Sequence, residues 1–237
     1  MIDFENQKIL VIGGSSGIGF ATAQLAAELG AAVTIASRSE AKLRDAAERI
    51  GPGIAYRVLD LTSDDQVKAF FEQGDAWDHV VVTGSDVKMA AVRQLPMEDA
   101  LGAMNSKFWG FYRVARHARI RDGGSLGVVA GYLATRPVAG RALMGAINAA
   151  LESLVQGLAL ELKPVRVNAV SPAVVKTEMW SSMTPEAREA MYAKVAATYP
   201  AGRAAEPRDI AKQLLLLAAT EYATGTIVTL DGGASIA

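Results

Sequence analysis

The chain has 237 residues, of which 51% are hydrophobic and 21% are charged, and its formal net charge is −1 at pH 7. This composition is typical of a globular protein and offers no basic excess for binding nucleic acid or an anionic membrane surface. The absence of cysteine and the presence of only two histidines exclude disulfides and cysteine-bound metals, and they predict no metal site.

The N-terminal segment and the apolar runs carry no targeting signal. Residues 1–6 are acidic and polar, where a secretory signal would need a basic segment followed by an apolar one. The densest apolar run, residues 214–219, is far shorter than the roughly 20 residues that cross a bilayer. We therefore expect a cytoplasmic protein without a membrane-spanning segment.

Seven short apolar runs, rich in β-branched residues, alternate with longer segments of helical pattern. The runs are residues 8–12, 32–36, 54–59, 79–83, 125–130, 166–170 and 226–230. This alternation is typical of successive βαβ units around a parallel sheet whose two faces are covered by helices. It predicts one α/β domain over residues 1–237, a Rossmann-like doubly wound sheet of seven parallel strands with helices on both faces.

Capping residues mark several helix starts. Ser39 and Ser63 each precede a helical pattern. Thr184 and Glu206 each precede a proline, which the first turn of a helix tolerates. The longest helix, residues 141–162, is apolar on more than one face. We expect it to pack against a second subunit as well as against the sheet.

A glycine-rich segment directly follows the first predicted strand and precedes a helical pattern. It reads Gly13-Gly14-Ser15-Ser16-Gly17-Ile18-Gly19. Glycines there allow backbone N–H groups to approach a pyrophosphate at the positive end of a helix dipole. The alternative is a tight turn without a ligand, but the βαβ units that follow favour a nucleotide site.

The motifs of this chain, taken in order, resemble those of the short-chain dehydrogenase/reductase family. Gly13, Gly17 and Gly19 match the spacing of the family's glycine motif. The other matching segments are Leu59-Asp60-Leu61-Thr62, Asp78-His79-Val80-Val81, Arg166-Val167-Asn168-Ala169-Val170-Ser171-Pro172, Thr177, Gly202-Arg203, Pro207-Arg208-Asp209-Ile210-Ala211 and Leu230-Asp231-Gly232-Gly233. The resemblance covers essentially the whole chain, and it implies a nicotinamide cofactor, a small-molecule substrate and a homodimer or homotetramer.

The end of the second predicted strand decides between the two nicotinamide cofactors. NAD-binding folds of this kind carry an acidic residue there, which holds the ribose 2′-hydroxyl. This chain has Ser37 and Arg38 instead, and a hydroxyl beside a guanidinium can hold a 2′-phosphate. We therefore predict NADP(H). With the resemblance, the predicted cofactor residues are Gly13, Ser15, Ser16, Gly17, Ile18, Gly19, Ser37, Arg38, Asp60, Leu61, Thr83, Gly84, Ser85, Asn148, Pro172, Val175 and Thr177.

The resemblance also implies a catalytic Ser, Tyr and Lys, but none of them stands at its matching position. By the family's spacing, the Ser position is Gly131, the Tyr position is Met144 and the Lys position is Asn148. A thioether is not a proton donor, and an uncharged amide cannot lower the pKa of a phenol. Hydride transfer in this chain would therefore depend on other groups.

Besides Arg136 and Arg141, on the loop near the site, three residues are candidate replacements for the missing proton donor. Tyr132 follows the vacant Ser position, and Asn105 and Lys107 lie in the long helix where the family has an Asn. Asn105 fits that Asn position by its distance to Gly123, and Lys107 fits it by its distance to Gly110, so both alternatives stay open. Each of the three can equally be a packing or solvated residue.

Two functions fit these observations better than a third, a non-redox enzyme that uses the same pocket, which would not need the retained glycine-rich loop. The first is an NADP(H)-dependent oxidoreductase with an atypical active site, acting on a small carbonyl, an alcohol or an activated double bond. The second is a catalytically inactive NADP(H)-binding sensor or scaffold. Substrate choice would rest on residues 173–200, whose methionines and aromatic residues indicate an apolar lid or a packed helical cap.

Overall fold

The computed structural model describes residues 2–237 and contains one sheet of seven parallel strands in the order β3-β2-β1-β4-β5-β6-β7. The strands are β1 Lys8–Ile12, β2 Ala32–Ser37, β3 Ala55–Val58, β4 Trp77–Val82, β5 Ile120–Val129, β6 Arg166–Pro172 and β7 Ile227–Leu230. The predicted α/β class and the seven parallel strands are confirmed. The order reverses between β1 and β4, which is the position where open α/β sheets bind ligands.

Eight α-helices connect the strands within the described residues. They are α1 Gly17–Glu28, α2 Glu40–Ile50, α3 Asp64–Glu72, α4 Met97–Ala103, α5 Gly110–His117, α6 Ala142–Glu161, α7 Pro185–Thr198 and α8 Pro207–Ala219. Residues Met104–Trp109 form a π-helical segment that joins α4 to α5. Short 3₁₀ turns cover Tyr132–Ala134 and Glu178–Trp180.

The predicted caps are present at the helix starts. The side-chain oxygens of Ser39, Ser63 and Thr184 each accept a hydrogen bond from the backbone N–H three residues later, at 3.3–3.4 Å. Glu206 and Asp209 form a reciprocal capping box at the start of α8. These bonds satisfy backbone donors that the first turn of a helix leaves unpaired.

The start of β5 differs from its prediction. The strand begins at Ile120, five residues before the predicted start, and Ile120 pairs with Trp77 before a shift in register. The residues in between are Arg121, Asp122 and two glycines, and Gly123 has a φ of +77°. Polar residues and glycines do not produce a strand pattern, so only the pairing with β4 reveals this extension.

Successive residues of β1 pack into opposite faces of the sheet, because strand side chains alternate. Leu10 and Ile12 lie in the core beneath α3, α5 and α6, which includes Phe111 and Ile147. Ile9 and Val11 lie in the core beneath α1, α2 and α8. Helices therefore cover both faces of the sheet, as predicted.

A buried arginine ties the first residue of β6 to the end of α8. Arg166 Nη1 donates to Leu217 O at 2.8 Å and Thr220 O at 2.9 Å, and Nη2 donates to Ala218 O at 2.5 Å. These carbonyls lie in the last turn of the helix and just beyond it, where they lack partners within the helix and where the dipole attracts a cation. The guanidinium thus fixes α8 against the sheet.

Helix α6 is longer than residues 214–219, the apolar run considered from the sequence as a membrane span. By length and composition alone, its 20 residues with a mean hydropathy of 1.4 would suffice to cross a membrane, and one third of the window is buried in the fold. The core helix of a globular protein passes the same test, and Ile147, Leu151 and Val155 of α6 are fully buried in the core. The sequence-based expectation that no apolar segment is long enough to cross a membrane is therefore wrong for α6, although α6 packs in the core.

Candidate functional site

A groove of about 530 Å³ lies at the carboxyl ends of the strands, where the strand order reverses. The loops that follow β1, β2, β3 and β4 form most of its lining. All the predicted cofactor residues that precede residue 100 line the groove, and Thr177 does so from the loop after β6. Asn148, Pro172 and Val175 do not line it.

The glycine-rich loop is shaped by close backbone contacts. Gly13 has a φ of +90°, and a Cβ atom there would collide with the backbone of Gly84. A Cβ atom on Gly19 would collide with the carbonyl oxygen of Gly13. Helix α1 therefore starts directly against the ends of β1 and β4. Its N-cap, Ser16, makes no side-chain cap, so the first backbone N–H groups are available to an anion.

The adenosine-side wall of the groove contains a polar atom without a partner. Ser37 Oγ is buried there and has no hydrogen-bond partner in the described residues. A buried hydroxyl without a hydrogen-bond partner destabilises the fold by roughly 1–3 kcal/mol. A ligand that hydrogen-bonds to the hydroxyl would remove this penalty. Arg38 and Lys42 line the same end of the groove. A hydroxyl beside two cations fits the 2′-phosphate of NADP(H).

Asp60 is positioned by the loop that follows β3. Its Oδ1 accepts hydrogen bonds from Thr62 N at 2.9 Å and from Thr62 Oγ1 at 2.8 Å. Within residues 2–237, Oδ2 accepts no protein hydrogen bond, so it remains available to a ligand donor such as an exocyclic amine. Lys42, Asp86 and Ser106 also line the groove, and the sequence motifs gave no signal for them.

A second polar cluster forms around Lys107, in the π-helical segment. Lys107 Nζ donates to Asn148 Oδ1 at 2.7 Å and to Ala130 O at 3.0 Å, and it lies 3.8 Å from Met144 Sδ. Burial of the ammonium lowers the pKa of Lys107 to about 8. The π-helical segment, a feature frequent at functional sites, thus places a cation with a lowered pKa beside Met144 and Asn148, the residues at the predicted Tyr and Lys positions.

Gly131 and Asn148 are sterically matched. A Cβ atom on Gly131 would lie 2.5 Å from Asn148 Nδ2, which is closer than such atoms can approach. Asn148 is only 2% exposed, and its Nδ2 has no acceptor among the described residues. The amide of Asn148 therefore occupies the space that a side chain at position 131 would need, and it has hydrogen atoms free for a ligand.

The other two candidate donors lie in different surroundings. Asn105 Oδ1 accepts from Arg113 Nη2 at 2.9 Å, and Arg113 also bonds Leu61 O at 3.1 Å. Tyr132 lies in a 3₁₀ turn beside Tyr199, and burial and the contact with Tyr132 raise the pKa of the Tyr199 phenol. The structure thus brings Lys107 to Met144 and Asn148, whereas Asn105 contacts Arg113.

The predicted substrate segment, residues 173–200, contains a 3₁₀ turn and α7. Trp180 Nε1 donates to Val175 O at 2.9 Å, which folds the turn back on the loop. Val195 is the one buried residue of α7, and Met179 is 56% exposed beside the groove. The helix therefore covers the surface loosely. Within residues 2–237 there is no group of three or more acidic or histidine side chains that could hold a metal ion.

Comparisons with known proteins agree with this geometry. The chain matches a family model described as Enoyl-(Acyl carrier protein) reductase over residues 13–235. It is 31% identical to the short-chain dehydrogenase/reductase ucsE of an Acremonium species, over 98% of this chain and 97% of that protein. Its fold is similar to a small-chain dehydrogenase in complex with NADPH, with a TM-score of 0.84 and 32% identity over 98% of this chain and 100% of the other.

One further solved structure is similar over the full length of both chains. It is an NADPH-bound short chain oxidoreductase from Pseudomonas aeruginosa that contains an atypical catalytic center. The TM-score is 0.92 and the identity is 27%, with 100% of each chain covered.

Proposed function

The chain belongs to the short-chain dehydrogenase/reductase family, and from that premise we propose that it is an NADP(H)-dependent oxidoreductase in which Lys107 takes over proton transfer. Its substrate class would be a small carbonyl compound, an alcohol or an activated double bond. The observation that carries the proposal is the bond of 2.7 Å between Lys107 Nζ and Asn148 Oδ1.

The choice of NADP(H) rests on the adenosine end of the groove. Ser37, Arg38 and Lys42 line it, and no acidic residue follows β2 in the place where NAD-binding folds have one. Two of the similar solved structures contain NADPH. These observations support NADP(H), with the 2′-phosphate held by Ser37 and Arg38.

The residues at the predicted catalytic positions are compatible with one another. This compatibility supports an active site with different catalytic groups over a random loss of the family's groups. Family members would have an Asn in the long helix and a Lys in α6, whereas this chain has Lys107 and Asn148 in those two places. The positive charge therefore lies on the long helix in this chain, whereas family members would have it on α6. Gly131 fits this arrangement, because a larger residue there would require the amide of Asn148 to shift away from its present position.

When bound, NADPH would supply a hydride to the substrate carbon. Lys107 Nζ then gives a proton to the substrate oxygen, and the neutral amine regains a proton from water. Asn148 holds the ammonium through Oδ1 and offers Nδ2–H to the same oxygen or to the nicotinamide ribose. A pKa near 8 suits this acid, because a general acid works best when its pKa lies near the working pH.

The second function, an NADP(H)-binding sensor or scaffold without turnover, is favoured by one observation. The ammonium of Lys107 already has two oxygen acceptors and a thioether around it. With three N–H donors and three neighbours, Lys107 would serve to hold the π-helical segment against β5 and α6. The two functions therefore differ in whether Lys107 exchanges a protein partner for a substrate.

Lys107→Met separates the two functions. The protein is incubated with stereospecifically deuterated NADPH and a panel of aldehydes, ketones and enones, and deuterated products are measured. We expect turnover by the native protein and a loss of roughly 10²- to 10⁴-fold in Lys107→Met with little change in the NADPH Kd. Tyr132→Phe is the matched control and should retain activity. Tight NADPH binding without product in the native protein would favour the sensor.

A further inference from the structure

An ion pair spans the adenosine end of the groove. Arg38 Nη2, at the end of β2, lies 3.0 Å from Asp86 Oδ2, in the loop after β4. Both residues line the groove, next to the unpartnered Ser37 Oγ. The cation assigned to the 2′-phosphate is therefore already engaged by a carboxylate of the protein.

The two partners are held by different contacts. The backbone of Asp86 is held by Ser106, whose buried Oγ accepts from Asp86 N at 3.2 Å and donates to Asp86 O at 2.8 Å. Arg38 reaches across the groove on a long side chain, and its one side-chain hydrogen bond in the described residues is with Asp86. Arg38 is therefore the partner that can turn from Asp86 toward a ligand.

We propose that Asp86 competes with the 2′-phosphate for Arg38 and so sets how strongly this protein prefers NADP(H) over NAD(H). The inference rests on the proposed NADP(H) function. A phosphate dianion presents more charge and more acceptors to a guanidinium than a single carboxylate does, so the exchange favours the ligand. The side chains of Arg38 and Asp86 are 58% and 60% exposed. Exposed pairs are weak, so Asp86 moderates the affinity without blocking the site.

Adenosine 2′,5′-bisphosphate and AMP provide the test, because they differ only in the 2′-phosphate and do not occupy the nicotinamide end. Their Kd values are measured by calorimetry for the native protein, Asp86→Asn, Arg38→Gln and the double variant. We expect Asp86→Asn to bind the bisphosphate roughly two- to fivefold more tightly, with little change for AMP. The effect should disappear in the Arg38→Gln background, because competition acts through Arg38.

Asp75→Asn is the matched control. It removes the same charge from an exposed ion pair with Lys8 that lies outside the groove, and it should change neither Kd. Asp86→Ser repeats the test with a smaller side chain and should give the same tightening.

Three outcomes would overturn the proposal. Weaker binding of the bisphosphate by Asp86→Asn would make Asp86 a residue that positions Arg38. A tightening that persists in Arg38→Gln would show direct repulsion of the phosphate by Asp86. If Arg38→Gln lowers the preference for the bisphosphate but Asp86→Asn does not raise it, competition by Asp86 is wrong and the NADP(H) assignment stands. If Arg38→Gln leaves the preference unchanged, the NADP(H) assignment itself fails.

Discussion

At the scale of single residues, two of the three residues at the predicted catalytic positions contact the same lysine, so a change at one position affects the others. Gly131, Met144 and Asn148 stand where a Ser, a Tyr and a Lys would be expected, and Lys107 lies against two of them. A lysine at position 148 would place a second ammonium beside the first, and like charges at such distances repel strongly. The present residues are therefore compatible with each other but not with the single reversion Asn148→Lys.

The pH dependence of reduction should report the ionisation of Lys107. Burial lowers the pKa of Lys107 to about 8. The protonated ammonium is the acid, so we expect kcat for reduction to be highest below pH 8 and to fall as the pH rises through that value. Lys107→Arg, which stays charged at any working pH, should lose this decline while retaining NADPH binding. A decline of the same midpoint in Lys107→Arg would assign the ionisation to another group.

Reversion to the family's residues should succeed only when Lys107 is changed as well. Gly131→Ser, Met144→Tyr and Asn148→Lys restore the missing groups, and Lys107→Asn removes the competing cation. We expect the quadruple variant to exceed the single variant Lys107→Asn, which has no positioned acid, by roughly 10²- to 10⁴-fold in kcat/KM for simple aldehydes and ketones. The triple variant, which keeps native Lys107, should be much less active than the quadruple variant. Equal activity of the two variants would contradict the proposed repulsion.

At the scale of secondary-structure elements, a buried polar chain joins strands β4 and β5 to the residue before β1. His79 Nε2 lies 2.7 Å from Gln7 Oε1, and Nδ1 lies 2.9 Å from Ser125 Oγ. A carboxamide oxygen only accepts, so Nε2 carries the proton and Nδ1 accepts from Ser125. The neutral imidazole thus satisfies both neighbours, and burial lowers the pKa of His79 to about 4.

The stability of the sheet should therefore decrease in mild acid. Unfolded histidine has a pKa near 6.5, and folded His79 has a pKa near 4. Folding favours the neutral imidazole, so its contribution to the free energy of unfolding is complete above pH 6.5 and is lost as the pH falls toward 4. The full difference is about 3 kcal/mol in the free energy of unfolding. Urea unfolding at pH 7.5 and pH 4.5 measures most of this difference, because pH 4.5 lies close to the folded pKa.

Two variants isolate the contribution of His79 from that of the acidic residues. His79→Gln, which cannot titrate in this range, should lose less stability than the native protein between the two pH values. His117→Gln is the matched control, because His117 lies outside this buried polar chain and its Nε2 contacts an exposed Asp64. An identical acid loss in His79→Gln and the native protein would exclude this explanation.

At the scale of the whole molecule, the surface around α5 and α6 leaves apolar side chains in water. Leu101, Trp109 and Tyr112 are 63%, 45% and 40% exposed, and Leu160 at the end of α6 is 77% exposed. Ala146, Ala149 and Ser153 are exposed small residues on α6. Exposed apolar surface of this kind marks an interaction site, and small residues allow two helices to approach closely. This face supports the predicted homodimer or homotetramer.

The oligomer prediction is tested by sedimentation velocity at micromolar concentration. We expect the native protein to sediment as a dimer or tetramer. Ala149→Arg should shift it toward the monomer, because an arginine there would hold the two copies of α6 apart. Ala69→Arg, the same substitution on the exposed face of α3, should leave the assembly unchanged. A monomeric native protein would contradict the prediction.

The sequence by itself determined the architecture and the nucleotide groove. Periodic apolar runs predict the seven strands because buried parallel strands require them, and the glycine-rich loop predicts the groove because its contacts are local. The prediction of NADP(H) from Ser37 and Arg38 also needs only the sequence, because the two residues directly follow a predicted strand. These signals depend on residues that are neighbours in the chain.

The tertiary structure alone decided the contacts between distant residues. Lys107 and Asn148 are 41 residues apart, and Arg38 and Asp86 are 48 residues apart. Sequence spacing left Asn105 and Lys107 equally suitable, whereas the π-helical turn brings Lys107 to Asn148 and leaves Asn105 with Arg113. Such contacts depend on how helices rotate against the sheet, which is fixed by packing over the whole core and not by any local pattern.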